Sequence, residues 1–474
     1  MNKNIFQNKT IFFLFFGSFA LYFFLGFYFQ YNSQRIFRIF DLIFNMDISF
    51  AYSSLFNSEN GNHLRNIAHT FFTNLLYPIA ILFEKITFSQ KLGAIFLNSL
   101  CGSFVVLFLY KTFLNFTNKR NHSILFILLY ALSFSTMIFS CFVESYIYSA
   151  FFSVLNLYYI SLIYNQCNLT KNNFFVLSFL TFCSFSIVTA NLIPNLIMIY
   201  FLLKKIYNEY KLIFKNFGII LSILLFFFAC FSLLAHFSYE NRTHIQNQIA
   251  FEKMQFGENF SSNSFSTVIG RIFSGSFYYL NSKLIGAHFP FLAGANASFD
   301  IYLPSILFYL FAIYFFVLNF KQILKNFLAT PLSLIVVICT IESLFYCNCG
   351  AFLFSQNFLP YFILLLLIIF LNTSSRVLLF SYLSYLFFIL IRNFYGFSAI
   401  QSFLVKSYKQ SFDFSEAFLM TSVFLLILFI LTLVLIFIRK KILLKISSDD
   451  LIFCSLIVYL TYVFVFGIIM AILR

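Results

Sequence analysis

Apolar runs of about 18 or more residues follow one another along almost the whole chain, joined by short polar links that carry most of the Lys and Arg. About 20 apolar residues in an α-helix cross a hydrocarbon core ~30 Å thick, so each run predicts a membrane-spanning helix. The first, 11–29, follows Lys3 and Lys9; it is longer than a signal-peptide core and has no small-x-small cleavage site, which predicts a retained span. Further spans are predicted at 92–110, 124–142, 146–163, 212–235, 301–318, 332–347, 358–371, 377–391, 417–438 and 451–473. Two segments break the rhythm. The stretch 69–83 is short for a crossing, and 174–203 is too long for one straight helix and is interrupted by Asn191 and Pro194.

Charge decides how these two segments are used. If 69–83 crosses fully, the basic link from Lys111 to Arg120 faces outward and Glu144 faces the cytoplasm, against the tendency of Lys and Arg to stay inside. If 69–83 only dips into the membrane and 174–203 is a helical hairpin bent at Asn191, every cluster can be cytoplasmic. Those clusters are Lys3/Lys9, Lys111/Lys119/Arg120, Lys204/Lys205/Lys211/Lys215, Lys321/Lys325 and Arg439/Lys440/Lys441/Lys445. The second arrangement puts the loop around Asp47, Glu144, the Asn191 bend and the long link 236–300 on one external face, with the N-terminus cytoplasmic. Short amphipathic or re-entrant helices are expected in that long link.

Composition agrees: 61% of residues are hydrophobic, 9% are charged and the mean hydropathy is +0.90. The fold class is an all-α polytopic membrane protein of about 11–13 transmembrane helices, in a single membrane domain over 1–474. It divides into an N-terminal module (1–235), an external loop (236–300) and C-terminal helices (301–474). The net charge of +15 is topological, so membrane lipids and not nucleic acid are the expected surroundings. With no Trp, the 29 Tyr are the interfacial aromatics. The nine Cys lie mostly inside apolar runs, where they behave as small hydrophobes; Cys347-x-Cys349 lacks metal-ligand spacing.

Candidate chemistry concentrates in the few polar places. The loop 40–78 holds Asp41, Asp47, Glu59, His63, Arg65 and His69. Asp41 and Asp47 are six residues apart and would not share a helical stripe, which argues against paired carboxylates. Asp47 alone can act as a general base on a hydroxyl, or serve as a solvated loop acid or helix cap. Glu144 sits between two apolar runs, where an ionised group costs roughly 2.5–3.5 kcal/mol, so it is functional, paired or an interfacial turn residue. Arg65 and His69 could hold a phosphate or anchor an interface, and Arg271, Lys283 and His288 are further phosphate candidates. Glu342 is embedded in an apolar run. Gly-rich phosphate loops, HExxH, GxSxG and paired CxxC motifs are absent.

Several segments resemble, in order, those of GT-C class membrane glycosyltransferases, such as protein mannosyltransferases and the aminoarabinose transferases of lipid A. They are NMDISFAYSSL around Asp47, HLRNIAHTFFTNLLYP with Thr70 where relatives carry Pro, and FVESYIYSAFF with Val143 in a Pro place. SIVTANLIPNLI follows, with Thr189 and Asn191 at a bend, and then FLFSQNFLPYF with Phe354 in a Tyr place and Pro360. The resemblance implies a transferase that moves a sugar from a polyprenyl-phosphate donor to a lipid-linked or cell-surface glycan acceptor, in a bacterial cytoplasmic membrane. It gives Asp47 the role of general base and has Glu144 polarise the acceptor or a divalent metal. Arg65, His69, Asn191, Arg271, Lys283 and His288 would then bind substrate. A lipid-linked glycan flippase, or a glycan polymerase or ligase, are the alternatives; only 174–203 is interrupted, with no counterpart in the second half of the kind transporter repeats show.

Overall fold

The computed structural model describes residues 2–31, 33, 36–37, 46, 48–56, 72–238, 273–274, 276–280, 282–285, 291–294, 299–345, 355–371 and 376–442. Among them, helices dominate: α1 (Asn2–Gly26, continued by a π-helical turn Phe27–Tyr31), α2 (Ile48–Phe56), α3 (Phe72–Thr87), α4 (Gln90–Thr117), α5 (Arg120–Ala131), α6 (Phe134–Cys141), α7 (Ser145–Gln166), α8 (Lys171–Ile187), α9 (Leu192–Ile206) and α10 (Tyr210–Ser238). A two-stranded antiparallel hairpin, β1 (Ser282–Ile285) and β2 (Phe291–Gly294), stands where short helices are expected. The chain continues as α11 (Phe299–Leu318), α12 (Phe320–Lys325), α13 (Ala329–Phe345), α14 (Ser355–Leu371), α15 (Arg376–Tyr408) and α16 (Phe414–Ile442). Among the described residues six helices are long and apolar enough to cross a membrane, or seven if α5 and α6 count as one bent span. The protein is therefore a multi-pass, predominantly helical membrane protein, with this hairpin as the non-helical element among the described residues.

α4 is the axis of the bundle. Its most apolar window is 83% buried, against 22% for α10 and 17% for α11. The peripheral helices turn large apolar side chains outward, among them Phe226, Ile313 and Phe387, which is the surface a hydrocarbon solvent calls for.

Contacts along neighbouring helices fix two ends. At one, the Arg120 guanidinium donates to Thr10 Oγ1. There too, Asn115 Nδ2 reaches Ser161 Oγ at 2.9 Å, Lys205 lies over the Tyr164 ring, and Phe327 packs on Tyr164 and Phe201. Lys111, Lys119, Lys204, Lys205, Lys321 and Lys325 gather at this end, and Phe12 against Phe429 sends the last turns of α16 toward it. At the opposite end lie the π-helical turn after α1, the α3–α4 turn and the α8–α9 bend. The segment 174–203 is thus a hairpin: α8 and α9 join through the single turn Thr189–Asn191. Pro194 falls in the first turn of α9, where its missing N–H costs nothing.

α3 does not traverse the bundle. It begins with Phe72 against Tyr148 and runs antiparallel to α4, passing Gly93 at Glu84, to end at the turn before Gln90. The expected single span 124–142 is broken: α5 and α6 meet at 63°. α4 and α15 outrun the expected 92–110 and 377–391, because polar residues in their extra turns find partners: Asn115 on Ser161, Gln401 on Tyr28. The span at 451–473 lies outside the described residues.

Candidate functional site

The chain between α6 and α7 runs extended through Phe142 (φ −93°, ψ 136°) to Glu144 (φ −153°, ψ 153°); the Phe142 N–H still bonds to the Ile138 carbonyl at 2.8 Å, but the last carbonyls of α6 and the Val143 N–H need partners from outside the two helices. In an apolar bundle each unpaired backbone group costs several kcal/mol, so other elements must supply partners. α4 supplies Asn98, whose Nδ2 donates to the Phe139 carbonyl at 2.7 Å and the Phe142 carbonyl at 2.8 Å. The turn after α1 supplies Gln30, whose Nε2 donates to the Cys141 carbonyl and whose Oε1 accepts from the Val143 N–H at 3.2 Å. Ser99 Oγ donates to the Ser140 carbonyl at 3.3 Å. A Cβ on Gly26 would sit 2.7 Å from the Cys141 oxygen, so only glycine lets α1 approach this closely.

This scaffold presents Glu144, which is 1% exposed. It caps α7: Oε1 accepts from the Ser145 N–H at 2.8 Å and from Ser145 Oγ at 3.1 Å. A carboxylate at a helix start is stabilised by the first N–H groups and by the helix dipole. One turn along α7, Tyr148 lies near enough for its hydroxyl to interact electrostatically with Glu144. That hydroxyl and Asn98 Oδ1 are buried without a hydrogen-bond partner among the described residues. The Tyr148 hydroxyl thus accompanies the carboxylate as a hydrogen-bonding group, and Asn98 Oδ1 is, among the described residues, a second free acceptor on the residue that holds the link. The tyrosine follows the glutamate at i+4, a helical spacing visible in the sequence; Asn98 and Gln30 carry no local signal.

Asn191 belongs to the same end. Its Nδ2 donates to Ser149 Oγ, five residues beyond Glu144 on α7. From there a hydroxyl–amide network descends between α7, α8 and α9. Ser149 and Ser184 each donate to the other's carbonyl, at 3.0 and 3.2 Å. Asn195 Nδ2 reaches Ser153 Oγ at 3.0 Å, and Asn156 Nδ2 reaches Asn195 Oδ1 at 2.8 Å. The structure places Glu144 and Asn191 at the same end of the bundle, linked through α7; Asp47, Arg65, His69, Arg271 and His288 lie outside the described residues. Lys283 is placed only by its backbone, in β1 opposite Ala293. Glu342 is separate, part-buried near the last turn of α13.

Among the described residues no three His, Cys, Asp or Glu side chains converge to hold a metal ion. Comparison with protein-family models, with curated proteins and with solved structures finds no match to this chain.

Proposed function

We propose that this chain is a GT-C-like glycosyltransferase of a bacterial cytoplasmic membrane, with about 11–13 crossings, its basic end cytoplasmic and Glu144 near the external face. One observation carries the reading: a buried carboxylate stands at a helix break on the end of the bundle opposite the basic clusters. A buried acid in a membrane bundle is costly to keep and marks a site by default. The order of segments that resemble GT-C enzymes supports the chemistry.

In this reading Asp47 takes the proton of an acceptor hydroxyl as that oxygen attacks the anomeric carbon of a polyprenyl-phosphate sugar. The bond from that carbon to the phosphate oxygen breaks, and the polyprenyl phosphate leaves with the electron pair. Arg65, His69, Arg271, Lys283 and His288 stabilise the departing phosphate, where preorganised cations matter most. Glu144, with Tyr148, orients the acceptor, and Asn191 lines the site. The test is surface-glycan composition by mass spectrometry in cells lacking the chain, complemented with wild type, Asp47→Asn or Glu144→Gln at matched abundance. Loss of one sugar in the null and in both variants supports transfer. Full rescue by both variants removes the chemistry and favours a lipid-linked glycan transporter.

A further inference from the structure

α6 is an eight-residue helix held at both ends by polar groups from elsewhere in the chain. Its first N–H groups are not capped by the preceding residues alone: Phe134 N donates to the Phe277 carbonyl at 2.8 Å and Ser135 N to the Ser276 carbonyl at 3.1 Å. Ser135 Oγ adds a second bond to Ser276 at 2.9 Å. The segment that feeds these carbonyls is itself clasped by α15. Arg392 Nε donates to the Tyr279 carbonyl at 3.1 Å, Arg392 Nη2 donates to the Leu280 carbonyl, and the guanidinium lies over the Tyr279 ring.

Asn393 joins all three parts. Its Oδ1 accepts from Tyr279 N at 3.1 Å; its Nδ2 donates to the Phe277 carbonyl at 3.4 Å and, at 2.7 Å, to the Leu132 carbonyl in the break between α5 and α6. A Cβ on Gly396, one turn further, would meet Tyr279 and Phe134 at 2.7–2.8 Å, so the close approach of α15 is built in. At its other end α6 runs into the Phe142–Glu144 link.

We propose that α6 is a lever with Asn393 at its pivot, seating the carboxylate of Glu144 according to how the Ser276–Leu280 segment is docked on α15. Arg392 and Asn393 are positioning residues, acting through α6. Packed interfaces respond by discrete shifts and do not deform continuously, so a change in that docking is expected to reach Glu144 as a shift of α6 as a whole. The inference rests on how α6 is held and stands whether or not the protein transfers sugars.

Cys141 ends α6 and is fully buried; Cys183 on α8 is equally buried in another part of the bundle. Both are native reporters. The full chain in nanodiscs is treated with N-ethylmaleimide, and alkylation of each cysteine is followed by mass spectrometry for wild type, Asn393→Leu and, as control, Phe394→Ala at a mostly exposed position on α15. The expected result is Cys141 alkylated about tenfold faster in Asn393→Leu than in wild type, as local opening predicts when several buried bonds are lost. Cys183 and the Phe394→Ala protein should stay unchanged. Ser135→Ala, which deletes the side-chain bond to Ser276 and one of the two that Gln356 Nε2 makes to α6, leaving the one to Thr136, should give a smaller increase of about threefold at Cys141 and decides the matter if Asn393→Leu does not accumulate. Cys141 as protected as in wild type, or Cys141 and Cys183 exposed together, overturns the lever.

Discussion

Gln30 accepts from the Val143 N–H at 3.2 Å across 113 residues of sequence, and with its other amide atom it donates to the Cys141 carbonyl. The amide side chain takes the place of a missing helical turn, and a π-helical turn is what aims it. Such turns widen a helix and commonly sit at functional sites.

Gln30→Leu conserves most of the volume and removes both bonds, leaving a buried donor and acceptor behind. Each such group costs about 1–3 kcal/mol. The detergent-solubilised variant is expected to unfold at clearly lower temperature, followed by circular dichroism at 222 nm. A midpoint equal to wild type would mean that Gln30 does not support the link.

Glu144→Gln keeps the oxygen that accepts from Ser145 and removes the charge. The fold should survive, because the cap persists. If Glu144 orients the acceptor, transfer should fall by about a hundredfold or more, read in membranes with a lipid-linked donor, while abundance stays at wild-type level. Undiminished turnover would take the carboxylate out of the reaction.

The two ends predict opposite labelling. Cys167, exposed in the left-handed turn after α7, lies at the basic end, and Phe88, 94% exposed, lies at the α3–α4 turn of the other. A membrane-impermeant maleimide on intact cells should label Phe88→Cys and leave Cys167 untouched until the membrane is permeabilised. Cys167 reacting in intact cells would invert the orientation.

The network below Asn191 predicts modest coupling. Interhelical hydrogen bonds in membranes average about 0.6 kcal/mol, because the unfolded chain in lipid also finds partners. A double-mutant cycle of Ser153→Ala with Asn195→Ala, measured by reversible unfolding in micelles, should give a coupling of that order. Additive effects would show the two side chains to be independent.

Much of the architecture was legible from apolar run length and basic clusters: the multi-pass class, the hairpin at 174–203, and Glu144 sharing an end with the Asn191 bend. The break inside 124–142 was not. Leu132 and Ser133 include neither Pro nor Gly, and the turn exists because Tyr22 holds the Ala131 carbonyl and Asn393 the Leu132 carbonyl. A pattern read along one stretch cannot see partners that arrive from over 100 residues away. The same blindness hid Asn98 and Gln30, ordinary polar residues in apolar runs until their acceptors are known. The strands Ser282–Ile285 and Phe291–Gly294 were missed because apolar stretches that short are ambiguous between helix and strand.

Asn393 follows Leu132 by 261 residues. At a synthesis rate of about 5–20 residues per second, the amide that completes the break emerges roughly 13–52 seconds after the carbonyl it serves. Until then the two halves, each too short to cross alone, have reason to stay in the bilayer as one continuous apolar segment, with their carbonyls paired internally. The bend is accordingly completed late in biogenesis: Tyr22 and the Gln30 and Asn98 supports of the carboxylate link are made early, and the Leu132 carbonyl gains its Asn393 partner only after α15 has been synthesised.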